Sequence, residues 1–218
     1  EELAFFFDLA GRESLPWVLI GNASNLLFAD EGYDGLVISL SRFECDRFEV
    51  EDTRVNVSSG MGLTRLARLL AEHSLGGMEF VGTIPGTVGG ALAMNASFGR
   101  SHARPQAMSD TLVQVEIMED SGKLLVMKPN EIEFSYRWSS LQGKVITGAV
   151  FGLEARPQEE IRSELRANQK YRARTQDLRF PSAGSVFKNP AGFAQTAGRM
   201  IDLVNLRGSR VGDAQISE

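Results

Sequence analysis

The sequence predicts mixed helix and sheet, an α+β chain, on three observations. An apolar run from Trp17 to Ile20 ends in the small-residue loop GNASN and is followed by further apolar runs. Leu63, Leu66, Ala67 and Leu70 recur at helical spacing, and Val113, Val115 and Ile117 alternate with polar residues ahead of a turn. With 218 residues, 43% hydrophobic and 23% charged, the chain can bury a core and suits one large or two modest domains.

Taken in order, the opening residues Glu1-Glu2-Leu3 lie inside a helical pattern without an initiating Met, so a preceding segment is expected. Trp17 to Ile20, the GNASN loop (Gly21 to Asn25) and the run from Gly35 to Leu40 read as strand, tight loop and strand. Arg54 to Val57 alternates as a strand does and reaches Gly60. The helix that follows turns Arg65, Arg68 and Glu72 outward, and Gly76-Gly77 is expected to stop it. His73 falls in its last turn, where a favourable helix-end charge is a simpler role than catalysis. Gly82 to Asn95, GTIPGTVGGALAMN, is the most glycine-dense stretch. A hairpin turns at Asp120-Ser121-Gly122, a last strand fits Val145 to Leu153, and Pro157 opens a charged, solvated helix to Arg172. The domain boundary is expected near Ala155, giving residues 1–154 (subdomains about 1–49 and 50–154) and 155–218.

Charge and composition exclude several functions. A net charge of -5 and a pI near 5.2 do not suit a polyanion-binding protein, so no nucleic-acid partner is expected, and any bound phosphate is expected on backbone amides. Cys45 stands alone, which forbids an internal disulfide and fits a reducing cytoplasm. With only His73 and His102 beside it, neither a zinc cluster nor a Cys/His pair is expected. No stretch approaches the roughly 20 apolar residues of a membrane span, and Ala4 to Phe7 is too short for a signal-peptide core.

Three stretches have the residue types for chemistry. GNASN and GTIPGTVGG combine small residues with turn formers, as backbone amides closing on a pyrophosphate require, although each alone is also an ordinary turn. GxxxxGK[ST] and GxGxxG are both absent, so P-loop and Rossmann readings fail on spacing. In FSYRWSS, Arg137 beside Tyr136 offers a forked cation for a carboxylate or developing enolate; the plainer reading is a surface ion pair. In PSAGSVFKNP, Ala183-Gly184 makes a bend that presents the Ser185 hydroxyl, with Lys188 and Asn189 beyond; the plainer reading is a turn into a strand. Ser185 lacks the GxSxG spacing and a nearby His, which disfavours a hydrolase nucleophile but leaves proton donation open.

Together with GNASNLL, DEGYDG, GTIPGTVGGALAMNAS, FSYR, PSAGSVFKNP and AGRMIDLVNLRGSRVGDAQIS in this order, the chain resembles the UDP-N-acetylenolpyruvoylglucosamine reductase (MurB) family over nearly its whole length. The resemblance implies a FAD-binding fold of the vanillyl-alcohol-oxidase (PCMH) type, with two α/β subdomains and a C-terminal α/β substrate-binding domain. It implies a cytoplasmic enzyme of peptidoglycan precursor synthesis, hence of cell-wall biogenesis, cell shape and division. FAD, bound without a covalent link, would take hydride from NADPH and pass it to the enolpyruvyl group of UDP-N-acetylglucosamine enolpyruvate. Gly21, Asn22, Ala23, Ser24 and Asn25, with Gly82, Thr83, Ile84, Pro85, Gly86, Val88, Gly89, Gly90 and Ala91, are implied to hold FAD. Ser185 matches the proton donor and Arg137 the cation that stabilises charge beside the carboxylate, while Tyr136, Lys188 and Asn189 are carried over as substrate contacts.

Some features depart from the resemblance. Ala23 stands where Gly is frequent, a change tolerated at negative φ. Arg100 to Met108 is longer than the resemblance implies and has no assigned role. The short FSYR-to-serine separation matches the compact form without a substrate-covering insertion. The chain halts at Glu218 before the family's C-terminal catalytic glutamate, for which Glu218 is not a substitute. The competing readings are an oxidase of the same fold, disfavoured because GNASN holds no tethering histidine, and a non-catalytic flavin or nucleotide-sugar binding module.

Overall fold

The computed structural model describes residues 2–98, 106–119, 121–177 and 180–218. The chain divides into two units, Glu1–Tyr171 and Arg172–Glu218.

In the first unit, α1 (Glu2–Arg12) precedes a parallel pair, β1 (Trp17–Ile20) and β2 (Leu36–Ser39). Next come β3 (Phe48–Glu51), β4 (Arg54–Ser58), α2 (Leu63–Glu72), β5 (Leu75–Gly76) and α3 (Val88–Ala93). Then follow β6 (Ser97–Phe98), β7 (Gln106–Ala107), β8 (Leu112–Met118), β9 (Leu124–Met127), β10 (Phe134–Ser135), β11 (Trp138–Ser139), β12 (Val145–Gly152) and β13 (Glu154–Ala155). The main sheet runs β3-β4-β12-β8-β9 and is antiparallel throughout.

Sequence period explains these elements directly. In β4, Val55 and Val57 are fully buried while Arg54 faces solvent, the two-residue alternation of a strand with one face on a core. Leu63, Leu66, Ala67 and Leu70 form the buried stripe of α2, which packs with α3 over that face. Phe80, Met108, Leu141 and Phe151 complete this core, and Leu3, Phe7, Ile38 and Leu40 form a smaller one under α1.

The end of α2 differs from the expectation. The helix stops at Glu72, His73 caps it with Nδ1 2.9 Å from the Leu69 carbonyl, and Ser74 takes the left-handed turn at φ 57. Gly76 does not end the helix but pairs in β5 with Glu154, because a Cβ there would press on Arg156 and Glu79. Glu79 is buried, accepting from the Gly77 amide at 3.0 Å and from Arg156 at 2.8 Å. Burial, the largest influence, pushes its carboxyl above the ordinary range. Its contribution to stability is therefore complete below the ordinary carboxylate value and is lost as pH rises through the raised one.

Arg47, between β2 and β3, bonds the Thr147 carbonyl of β12 at 3.0 Å and pairs with Glu116 of β8 at 3.5 Å. Gly148 leaves room for it, since a side chain there would collide with the guanidinium. This fixes the segment after β2 against the main sheet.

The second unit begins inside the helix α4 (Gln158–Thr175) and contains α5 (Ala197–Leu203) and a hairpin of β14 (Arg210–Val211) and β15 (Ala214–Gln215). None of its described residues is buried. Asp202, paired with Arg199 at 2.6 Å and Arg207 at 2.7 Å, has its carboxyl lowered first by the Arg199 hydrogen bond and then by Arg207. That contribution is present above the ordinary carboxylate value and fades as pH falls through the lowered one. Among the described residues no helix is long and apolar enough to cross a membrane, and no His/Cys/Asp/Glu cluster would hold a metal. The stretch from Arg100 to Met108 lies largely outside the described residues, as does Asp120 of the hairpin turn.

Candidate cofactor cleft and its arginine

GNASN and GTIPGTVGG, 61 residues apart at their point of contact, meet in space. The Ser24 hydroxyl donates to the Pro85 carbonyl at 2.9 Å. Thr87 lies over Gly21 so closely that a Cβ at Gly21 would overlap its hydroxyl. Gly86 adopts φ +136, a conformation open to glycine but strained for other residues. Ala23, which negative φ would have made an easy replacement for Gly, is left-handed at φ 52. The loop reverses there, and a Cβ in that region costs roughly 1–2 kcal/mol. Ala23→Gly is accordingly expected to raise stability by about 0.5–1 kcal/mol in a urea titration.

Main-chain hydrogen bonds decide which amides are available. Val88 donates to the Met61 carbonyl at 2.9 Å, Gly89 to the Ser59 carbonyl at 2.9 Å, Gly90 to the Thr87 hydroxyl at 3.5 Å and Ala91 to the Thr87 carbonyl at 2.9 Å. Ile84 donates to Val81 at 3.0 Å, and Pro85 has no N–H. Gly82 and Thr83 belong to a buried 3₁₀ turn, where Gly82 packs against Leu165 and Ala67. Among the described residues, the amides of Gly21 to Asn25, Gly86 and Thr87 make no main-chain hydrogen bond. A polar backbone group of this kind needs an outside partner. Gly89 and Gly90 contribute space instead: a Cβ on Gly89 would press on Ser59.

Beside these loops is a cavity of about 340 Å³, walled by β1, Gly21, Thr87, Gly90, Leu141 and Lys144. Its volume suits one end of a dinucleotide. The Ser59 hydroxyl in its wall is buried with no hydrogen-bond partner among the described residues. Small residues, unpaired amides and an orphaned hydroxyl fit a pyrophosphate-bearing cofactor. A wider groove of about 600 Å³ between α2 and α4 touches these loops only through Gly82 and is lined by exposed arginines such as Arg68 and Arg166. It offers none of the free amides, so its size carries no weight. Thr87, Ser59 and Lys144 were not singled out by the sequence reading. Only Thr87 left a signal there, as a helix-capping threonine just before a short apolar run.

Tyr136 and Arg137 form the two-residue link between β10 and β11. Arg137 holds φ 58, a position turns usually give to Gly or Asn. Its Nη1 donates to the Ser97 carbonyl and hydroxyl, both at 3.1 Å, and its guanidinium lies 5.4 Å from the centre of the Tyr136 ring. No carboxylate pairs with it among the described residues. Ser139, fully buried, anchors the hairpin to the Leu92 and Ala93 carbonyls of α3 at 2.9 Å. Asn95 donates to the Ser135 carbonyl at 3.4 Å and accepts from the Ser109 amide at 3.2 Å. GTIPGTVGGALAMNAS is thus one device: its first half shapes the loop that meets GNASN, and its second half seats Arg137. The strain at Arg137 is of the kind retained where function requires a fixed direction.

In the second unit, Ser185 and Lys188 are exposed on irregular chain. The bend expected before Ser185 is present, with Gly184 at φ +66 and its amide bonded to the Ser182 hydroxyl at 3.1 Å; no strand follows. Asn189 Oδ1 accepts from the Ala197 amide at 3.1 Å, which fixes its side chain at the start of α5 and leaves its NH₂ group free to donate.

Residues 1–128 match the model of a FAD binding domain, and residues 176–218 match the UDP-N-acetylenolpyruvoylglucosamine reductase C-terminal domain. UDP-N-acetylenolpyruvoylglucosamine reductase 2 of Symbiobacterium thermophilum is 39% identical over 219 residues, covering 100% of this chain and 68% of its own length. Reductase 1 of Bacillus cereus is 42% identical over 214 residues, covering 97% of this chain and 68% of its own. The crystal structure of the Thermus caldophilus reductase (MurB) superposes with a TM-score of 0.78 at 38% identity, over 96% of this chain and 74% of that one.

Proposed function

The chain belongs to the UDP-N-acetylenolpyruvoylglucosamine reductase family, and on that premise we propose how its residues divide the work. The activity is FAD-dependent reduction of the enolpyruvyl group of UDP-N-acetylglucosamine enolpyruvate to UDP-N-acetylmuramate, in peptidoglycan precursor synthesis, with NADPH as hydride donor. FAD, when bound, supplies the hydride carrier between the two substrates.

Gly21 to Asn25, Gly86 and Thr87 hold its pyrophosphate through main-chain N–H groups, while Gly89 and Gly90 keep the approach clear. The single observation that carries this assignment is that these amides make no main-chain hydrogen bond, whereas those of Ile84 and Val88 to Ala91 in the same glycine-rich stretch are used within the protein. Arg137 faces the substrate's carboxylate, where a preset guanidinium stabilises the negative charge that builds on the adjacent carbon after hydride arrives at the methylene. Its seat on Ser97 removes the need to reorganise during the reaction. The Ser185 hydroxyl gives its proton to that carbon, which needs proximity and no triad. Tyr136, Lys188 and the free NH₂ of Asn189 contact the substrate's carboxylate or diphosphate. We place the reaction in the reducing cytoplasm, a setting with which the lone thiol of Cys45 agrees.

Anaerobic spectroscopy tests this reading. NADPH is expected to bleach the flavin absorbance, and the enolpyruvyl nucleotide sugar to restore it. Recovery with oxygen alone and indifference to the sugar would make the protein an oxidase, and bleaching that the sugar never reverses would make it a binding module.

A further inference from the structure

We propose that Lys144 is a cation for the FAD pyrophosphate, an inference that rests on FAD occupying the cavity between β1 and α3. Among the described residues that line the cavity Lys144 alone carries a charge; the others are apolar, glycine, Ser59 and Thr87. Its ammonium has no hydrogen bond or ion pair among the described residues. Its backbone is fixed: Gly143 turns at φ +79, the Lys144 amide bonds the Leu141 carbonyl at 3.1 Å, and buried Val145 and Ile146 follow immediately in β12. Leu141 is itself fully buried, so both ends of the turn are anchored in the core.

The electrostatics favour such a role. A pyrophosphate brings two negative charges to a protein of net charge -5, and the free amides of the two loops answer it with dipoles only. One ammonium lining the same cavity is a charge-assisted donor with no competing partner among the described residues. It stands immediately before β12 of the main sheet and belongs to neither glycine loop, so replacing it leaves both turns intact.

FAD titrations of apoprotein, followed by quenching of flavin fluorescence at rising KCl, separate this from a solvated surface lysine. Lys144→Gln is expected to weaken FAD about tenfold at low salt, with the gap closing as salt rises; Lys144→Arg is expected to restore most of the affinity. Wild-type affinity in Lys144→Gln, or a loss that salt does not change, overturns the inference. Gly21→Val in the same assay tells the two claims apart. If it abolishes uptake while Lys144→Gln binds like wild type, the cavity is right and Lys144 has no part. If Gly21→Val binds FAD normally, the cavity assignment fails and Lys144 falls with it.

Discussion

Ser185→Ala is expected to leave flavin reduction by NADPH close to wild type and to slow reoxidation by the enolpyruvyl sugar by about 10²–10⁴-fold, the range for loss of a positioned acid. Only the second half-reaction moves a proton to carbon. The side chain is exposed and makes no structural hydrogen bond among the described residues, so the variant should fold as wild type does. Stopped-flow absorbance of each half-reaction measured separately decides the matter. Equal slowing of both halves would show that Ser185 acts on binding or folding instead of proton delivery. Cysteine at this position is expected to recover part of the rate, since it keeps a donor of similar reach.

Gly21→Val is expected to yield a folded but colourless protein. The new Cβ would overlap the Thr87 hydroxyl, and the two loops could part only by breaking the Ser24 to Pro85 contact as well. Separating the loops moves the free amides out of register with a pyrophosphate, and we expect FAD affinity to fall at least about 100-fold, the loss of several charge-assisted bonds. Far-ultraviolet circular dichroism should match wild type, because the atoms nearest the new Cβ all belong to Thr87, which is in no strand of the main sheet. Visible flavin absorbance at wild-type level in purified Gly21→Val would contradict the assignment.

Much of the fold was legible because it follows from period. The alternation at Val55 and Val57, the stripe on α2 and the hairpin after Val113 are local patterns that burial then uses. The glycine loops were legible as phosphate-binding candidates by composition. Their internal division was not, because the partners that occupy the Val88 and Gly89 amides are Met61 and Ser59, brought there by the fold. Gly82 read as a loop glycine, yet it is small so that Ala67 and Leu165 can close over it. The α2 end was misread because glycine pairs are usual stops, whereas here Ser74 takes the left-handed turn and Gly76 is reserved for the Arg156–Glu79 pair. The seat of Arg137 depends on Ser97, 40 residues earlier, which no local rule connects to it. Lys144 lies outside every motif.

The central claim, that free amides in two touching loops hold the cofactor's phosphates, is tested most directly by amide hydrogen exchange with and without FAD. FAD should slow exchange at Asn22 to Asn25, Gly86 and Thr87, while Val88 to Ala91, already bonded within the protein, change little. If the cofactor binds and those amides exchange as fast as before, with new protection confined to other segments, the phosphates are held elsewhere and the account is wrong.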